Sequence, residues 1–280
     1  MLLAAGRGER MRPLTDTTPK PLLPVHGKPL MQWQLEALAR AGVSRVVVNT
    51  AWLGQQIATQ FGDVFRLQPP LDKREQLSIQ DCLEICYSHE GQDFGAALET
   101  AGGIARALPL LCPPSGTGAN AEVFWVLAGD VYVPDFVFSP AAVARFVASD
   151  KLAHLWLVPN PVHNLRGDFG LDQEAGLAFN LAPEDVRPRY TYSTIGLYRK
   201  ALFAPPWCDI VPGNPRGLKA PLAALLRVAM DNCLVSAQRY DGAWTDVGTP
   251  QRLEQLNAES DGPRPEFGKA RPSKLQGKTE

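Results

Sequence analysis

The sequence has no long apolar run. Nowhere does it approach the roughly 20 consecutive apolar residues that a membrane-spanning helix requires, and its N-terminus lacks the charged segment, apolar stretch and cleavage site of a secretory leader. A cytoplasmic protein with no membrane partner is expected. Charge of one sign is also missing: 28 Lys and Arg against 29 Asp and Glu give a net charge of -1. That balance leaves no cationic surplus for a nucleic-acid backbone, so a small-molecule substrate is the expected partner. The five cysteines (Cys82, Cys86, Cys112, Cys208 and Cys233) are odd in number and scattered, with no CxxC pair and no histidines at zinc spacing. They read as reduced thiols of a cytosolic protein.

What is present is an ordinary globular composition, 45% hydrophobic and 20% charged over 280 residues, enough for one large α/β domain or two small ones. The chain opens on Met1-Leu2-Leu3-Ala4-Ala5 and runs directly into Gly6-Arg7-Gly8, a buried strand feeding a tight loop. So little lead-in predicts a frayed first strand and a natural start lying a few residues further out. Pro29 to Ala41 carries Leu30, Trp33, Leu35 and Leu38 at helical spacing and stops at Gly42, and Ser44 to Asn49 reads as a buried parallel strand. The alternation continues with helices over 53–61, 100–110 and 140–148 and strands over 83–88, 122–127 and 153–158, with further helices near Ala201 and over 250–258. Right-handed crossovers then build a doubly wound, Rossmann-like α/β fold: three α/β/α layers around a central mixed, mostly parallel sheet. One domain is expected over 1–258, its parts meeting near residue 130, with surface insertions at 66–81 and 112–121 and a disordered polar tail over 259–280.

Glycines after a strand suggest phosphate, because a loop free of side chains lets backbone N–H groups converge on phosphate oxygens. The loop is not the dinucleotide fingerprint, whose third glycine would fall at Met11, nor a P-loop, since no Gly-Lys-Ser/Thr follows. Arg7, Arg10, Arg12 and Lys20 lie within this short span, a cationic ring suited to a triphosphate; a solvated basic loop is the plainer alternative. Far along the chain, Val126-Leu127-Ala128-Gly129-Asp130 delivers a carboxylate to a strand end, where open α/β sheets place ligands. Trp244-Thr245-Asp246-Val247-Gly248-Thr249 does so again. Each Asp has a bland alternative, a turn residue for Asp130 and a helix N-cap for Asp246.

The segment Leu3-Ala4-Ala5-Gly6-Arg7-Gly8-Glu9-Arg10-Met11-Arg12-Pro13-Leu14-Thr15, followed by Pro19-Lys20-Pro21-Leu22, resembles the signature of the sugar-1-phosphate nucleotidyltransferases. Glu9 stands where many relatives have Thr. The resemblance implies a nucleoside triphosphate and a sugar 1-phosphate as substrates and Mg2+ as cofactor. It places Leu3, Ala4, Ala5, Gly6 and Gly8 around the nucleotide, Arg10 on its β- and γ-phosphates, and Lys20 between the phosphates of the two substrates. Asp130 and Asp246 become the metal carboxylates.

Finer features resemble the bacterial branch that transfers a uridylyl group from UTP to N-acetylmuramic acid α-1-phosphate in cell-wall recycling. Asn49-Thr50-Ala51-Trp52-Leu53 matches its Asn-x-Ala-Trp-Leu and adds Asn49 to the nucleotide side. Leu98-Glu99-Thr100-Ala101-Gly102-Gly103-Ile104 matches Leu-Glu-Thr-Gly-Gly-Gly-Ile, making Gly102 and Gly103 candidates for pyrimidine contact. Asn160-Pro161-Val162-His163-Asn164 through Gly167-Asp168-Phe169 matches Asn-Pro-x-His-His-x-x-Gly-Asp-Phe, with Asn164 replacing the second histidine. Asn160, His163, Gly167 and Asp168 are assigned to the sugar phosphate on this basis, joined by Ser193 and Lys219. A guanylyl- or thymidylyltransferase acting on mannose or glucose 1-phosphate is the alternative within the class. A non-catalytic nucleotide-sugar-binding relative is the alternative outside it, disfavoured because Arg10, Lys20, Asp130 and Asp246 are all present.

Overall fold

The computed structural model describes residues 1–67, 82–113 and 119–258. The elements run β1 (Leu2–Ala4), β2 (Pro24–Val25), β3 (Lys28–Pro29), α1 (Leu30–Arg40), β4 (Arg45–Thr50), α2 (Gly54–Phe61), β5 (Val64–Arg66), β6 (Cys82–His89), α3 (Glu90–Phe94), α4 (Glu99–Leu111) and β7 (Val123–Ala128). There follow β8 (Val131–Tyr132), α5 (Pro140–Ala148), β9 (Ala153–Val158), β10 (Phe169–Asp172), β11 (Leu177–Phe179), β12 (Arg189–Arg199), α6 (Leu222–Asp231), β13 (Val235–Arg239), β14 (Thr245–Asp246) and α7 (Pro250–Ala258). Of the expected insertions, residues 68–81 and 114–118 lie outside the described residues, as does the expected tail. The helix expected near Ala201 is a single 3-10 turn, Lys200–Phe203.

Ten strands form one sheet in the order β10-β11-β13-β9-β12-β7-β1-β4-β6-β5. The expected parallel character holds in the N-terminal half, where β7, β1, β4 and β6 run together. It fails elsewhere. The long β12 is antiparallel to both β7 and β9, and β10 and β11 pair antiparallel as well. The reason lies in the connections: β10, β11 and β12 follow one another without an intervening helix, and only a crossover can return the chain for a parallel neighbour.

The strands of the parallel half send alternate side chains to opposite faces. Leu2, Ala4, Val46, Val48 and Leu127 join Leu35 and Leu38 of α1, Ile57 of α2 and Phe146 of α5 in one apolar cluster. Val47 and Val126 join Ile104 and Leu108 of α4 and Leu226 of α6 in another. A third, smaller cluster gathers Met11, Leu23, Val25 and Leu30 with Tyr132, Val247, Leu253 and Leu256, fastening the segment after the glycine loop to β14 and α7.

The expectation of a frayed first strand is overturned. β1 lies at the sheet's centre with Leu2 and Ala4 buried, paired with β4 on one edge and β7 on the other. Leu127 N–H donates to Met1 O at 3.0 Å and Gly129 N–H to Leu3 O at 2.8 Å, so β7 and the residue after it tie the short strand in from end to end.

Candidate active site

The glycine loop leaves β1 at the C-terminal edge of the parallel strands. A side chain at Gly6 would meet open space, whereas Gly8 adopts φ +68° and sits against Thr15. The loop is braced from α2's side: Trp52 Nε1 donates to Thr15 O at 2.9 Å and Gln56 Nε2 to Thr17 O at 2.9 Å. The Asn-x-Ala-Trp-Leu segment read above as a family marker thus has a mechanical role. The cationic ring is corrected. Arg7 lies over the Trp52 ring, 3.6 Å from its centroid, and donates to Thr15 O at 2.8 Å. Arg12 donates to Asp16 at 2.8 Å, and its hydrogen bond, with Arg7's, holds the Asp16 carboxyl below the usual carboxylate range. Both guanidinium groups shape the loop. Arg10 is exposed and makes no hydrogen bond or ion pair among the described residues.

Lys20 and Asp130, 110 positions apart, form an ion pair of 2.5 Å. The turn carrying Asp130 is held by Gln34, whose amide donates to Ala128 O at 2.6 Å and Val131 O at 3.0 Å. Asp246 reaches the same place through the short β8–β14 ladder, where it stands opposite Val131. Its carboxylate accepts a hydrogen bond from Arg252 and lies 2.8 Å from His163 Nε2, which is itself 2.9 Å from the Arg252 guanidinium. Among the described residues no group of three His, Cys, Asp or Glu side chains is arranged to hold a metal. Two carboxylates are nonetheless a donor set that suits Mg2+, which keeps waters and takes its remaining oxygens from phosphate. Each carboxylate already faces a cationic side chain, Lys20 or Arg252, in the position of a charge partner.

Beside Asp130 opens a cavity of about 650 Å³, walled by Leu3, Ala5 and Gly6 on the glycine-loop side and by Phe169, Tyr192 and Thr194 on the other. Asn49 and Glu90 border it. Asn49 Oδ1 accepts from Ala4 N–H at 2.8 Å and its amide donates to Glu90 Oε1 at 2.6 Å; the other Glu90 oxygen accepts from Leu98 N–H at 2.7 Å. Burial pushes the Glu90 carboxyl up despite these donors.

Several expected ligands are placed elsewhere. A Cβ at Gly102 would fall 2.4 Å from Leu218 O, and one at Gly103 would fall 2.5 Å from Glu90 Oε1. These glycines let α4 approach the 218–220 backbone and the buried Glu90, and neither lines the cavity. Ser193 is fully buried and donates to Trp156 O at 2.7 Å within β12. The cavity-facing residue is its neighbour Thr194, at φ +66°, whose buried hydroxyl has no partner among the described residues. Asn160 donates to Arg189 O at 2.9 Å and packs on Gly167, and Asp168 accepts from Tyr192 N–H at 2.8 Å and from Asn164 at 3.3 Å. Asn160, Asn164, Gly167 and Asp168 therefore build the loop onto β12. His163 belongs with Asp246 and Arg252, and Lys219 is exposed just before α6.

Sequence reasoning missed Glu90, Thr194 and Arg252. Glu90 follows a buried strand directly, the same signal that identified Asp130. Thr194 follows from the two-residue period of β12 once Ser193 is read as inward.

The sequence pattern of the nucleotidyl transferase family matches residues 1–171. An N-acetylmuramate α-1-phosphate uridylyltransferase of Neisseria meningitidis serogroup B is 42% identical over 265 residues, covering 92% of this chain and 96% of that one. A UTP–glucose-1-phosphate uridylyltransferase of Synechocystis is 36% identical over 89% of this chain and 59% of its own. A mannose-1-phosphate guanylyltransferase catalytic subunit beta of Drosophila melanogaster is 34% identical over 90% and 59%. A solved Bacillus anthracis protein described as a glucose-1-phosphate thymidylyltransferase, in complex with sucrose, superposes with a TM-score of 0.68 at 18% identity over 96% of both chains. The protein belongs to the nucleotidyl transferase family, and its curated relatives make it a sugar-1-phosphate nucleotidyltransferase. The alternative of a non-catalytic relative is set aside.

Proposed function

We propose that the protein condenses UTP with N-acetylmuramic acid α-1-phosphate to give the UDP-sugar and pyrophosphate, a cytoplasmic step of peptidoglycan recycling. The carrying observation is the Lys20–Asp130 ion pair beside a cavity with the glycine loop on one wall and β12 on the other, with the strand that bears Asp246 laddered onto the turn after Asp130. The choice of sugar and base is supported by the 42% identity to the Neisseria enzyme across nearly the whole of both chains. The division into a nucleotide part over about 1–130 and a sugar-phosphate part over about 131–258 follows the two walls of that cavity. The three-layer Rossmann-like arrangement is supported by α1, α2 and α5 sharing one apolar cluster while α4 and α6 share the other. No helix among the described residues is long and apolar enough to cross a membrane.

Two anions must react, so repulsion is the barrier and the protein's task is positioning and charge neutralisation. An oxygen of the sugar phosphate attacks the α-phosphorus, a new P–O bond forms, the α–β bridging P–O bond breaks and pyrophosphate departs. No protein nucleophile is required. The backbone of Leu3 through Gly8 cradles the triphosphate, and the exposed Arg10 receives the departing pyrophosphate. Lys20, released from Asp130, neutralises and orients the attacking phosphate. Asp130 and Asp246 would hold Mg2+, which when bound supplies further charge neutralisation at the α-phosphate. Asn49 presents the nucleotide-side edge of the cavity, and Thr194 on the opposite wall would meet the sugar once its buried hydroxyl turns toward it.

A turnover panel of UTP, GTP, dTTP and CTP against muramic, glucosamine, glucose and mannose 1-phosphates, read by pyrophosphate release, tests the assignment. Preference for UTP with N-acetylmuramic acid 1-phosphate is the expected outcome. Preference for GTP with mannose 1-phosphate, or for dTTP with glucose 1-phosphate, would replace it.

A further inference from the structure

Next to the catalytic cavity lies a second recess, of about 460 Å³, walled by Arg166, Asp168, Asn180, Ala182, Arg189 and Arg227 among others. Three guanidinium groups border it, and none lies within ion-pair distance of a carboxylate among the described residues. Arg189 is spent on the floor, donating to the carbonyls of Leu181, Ala182 and Asp185. Arg227 makes one neutral contact, donating to Asn180 Oδ1 at 2.6 Å, and its guanidinium lies 5.2 Å from the centroid of the Phe169 ring. Arg166 is exposed and has no hydrogen-bond or ion-pair partner among the described residues. The single wall carboxylate, Asp168, is turned to Tyr192 N–H and Asn164, so it does not cancel the arginines by contact.

The recess and the catalytic cavity share a wall. Phe169 and Leu226 line the cavity, while their chain neighbours Asp168 and Arg227 line the recess. With Arg189 engaged by the floor and near Asp185, Arg166 and Arg227 remain as guanidinium groups without a carboxylate partner among the described residues, a place for an anion, and the planar fork of arginine matches a carboxylate or phosphate.

We infer that this recess is an oxyanion subsite in which Arg166 and Arg227 bind a carboxylate or phosphate group beside the sugar-binding wall. One source of that group rests on the function proposed above: N-acetylmuramic acid 1-phosphate carries a carboxylate that the corresponding glucosamine phosphate lacks. The other source is a separate small anion that acts through the shared Phe169 wall.

The test uses the full-length protein with Arg166→Glu, an exposed position whose side chain holds nothing in place, and Arg227→Gln beside it. KM is measured for N-acetylmuramic acid 1-phosphate, N-acetylglucosamine 1-phosphate and UTP, and the melting temperature is recorded with and without inorganic phosphate. If the anion is the sugar's own carboxylate, both variants raise KM for the muramic substrate about 10- to 100-fold, the range of a charge-assisted hydrogen bond, and leave the other two unchanged. If it is a separate anion, phosphate raises the melting temperature of the wild type and of Lys20→Ala but not of the Arg166 and Arg227 variants, with the two sugars affected alike. Arg166→Glu matching the wild type in both readouts overturns the inference. A wild type that rejects the muramic substrate refutes the proposed function alone, and the phosphate arm then decides on the recess.

Discussion

Asp130 and Asp246 enter the site from neighbouring strands, and the backbone joins them: Val247 N–H donates to Asp130 O at 2.9 Å. Their side chains then diverge, Asp130 to Lys20 and Asp246 to Arg252 and His163. A divalent ion must draw both carboxylates away from these partners. Asp246→Asn is expected to raise the Mg2+ concentration for half-maximal activity by about 10- to 100-fold, the scale on which metal-site substitutions act. An unchanged Mg2+ titration would show that Asp246 only anchors α7.

Lys20 is expected to matter to chemistry far more than to folding. Its ammonium pairs with a carboxylate that is only partly buried, so losing the pair costs about 1 kcal/mol or less. For a chain of 280 residues that is a fall in melting temperature of about 2–4 °C at most. Turnover of Lys20→Ala should fall by about 100-fold or more, as when a donor to developing charge is removed. Pyrophosphate release and calorimetry on the same sample check both halves, and near-wild-type turnover would exclude Lys20 from the reaction.

These residues were legible because they lie in motifs whose chemistry shows in the text: a glycine loop with nearby cations, and strands that end in Asp. The βαβ order of the N-terminal half was legible from periodicity for the same reason. What escaped was set by long-range packing. Gly102 and Gly103 look like ligand-approach glycines, but their neighbours are Leu218 O and Glu90, one of them more than a hundred positions away. The antiparallel half was misread because short strands such as β10 and β11 carry no signal of direction. Ser193 and Thr194 differ only in the parity of β12, and a register shift against β9 between Tyr192 and Gly196 disturbs that parity at the site itself.

Thr194 combines a positive φ of 66° with a buried hydroxyl that has no partner among the described residues. Backbone strain of this kind persists where the surrounding structure over-determines it, and such positions cluster at ligand sites. Thr194→Ala is expected to raise KM for the sugar phosphate about tenfold, the loss of one hydrogen bond. The melting temperature should stay equal or rise, since no protein partner is lost and the branched side chain is removed from a left-handed backbone. A drop in melting temperature with unchanged KM would make Thr194 structural.

Glu90 gives a pH signature. Its folded carboxyl is raised by burial above the ordinary 4.5, so the folded state binds the proton more tightly than the unfolded chain. Its stabilising contribution is full below about pH 4.5 and declines as pH rises through the raised folded value. Glu90→Gln removes that dependence and leaves one of the two buried donors, from Asn49 or Leu98, facing an amide, at a cost of about 1–3 kcal/mol. The difference in melting temperature between wild type and variant should therefore narrow from pH 4 to pH 8. A difference that widens over that range would show that the two donors outweigh desolvation.

β1 contributes three residues to the centre of the sheet, and everything that fixes them is distant in sequence: Val48 to Thr50 on one side, Leu127 and Ala128 on the other. The glycine loop therefore rests on pairings with β4 and β7 that are far away in sequence, although its own sequence is local. Nucleotide binding consequently reports on the whole parallel half of the sheet. A substitution at the far end of β7 that loosens its pairing with β1 would surface first as lost affinity for UTP, before any loss of secondary structure is seen.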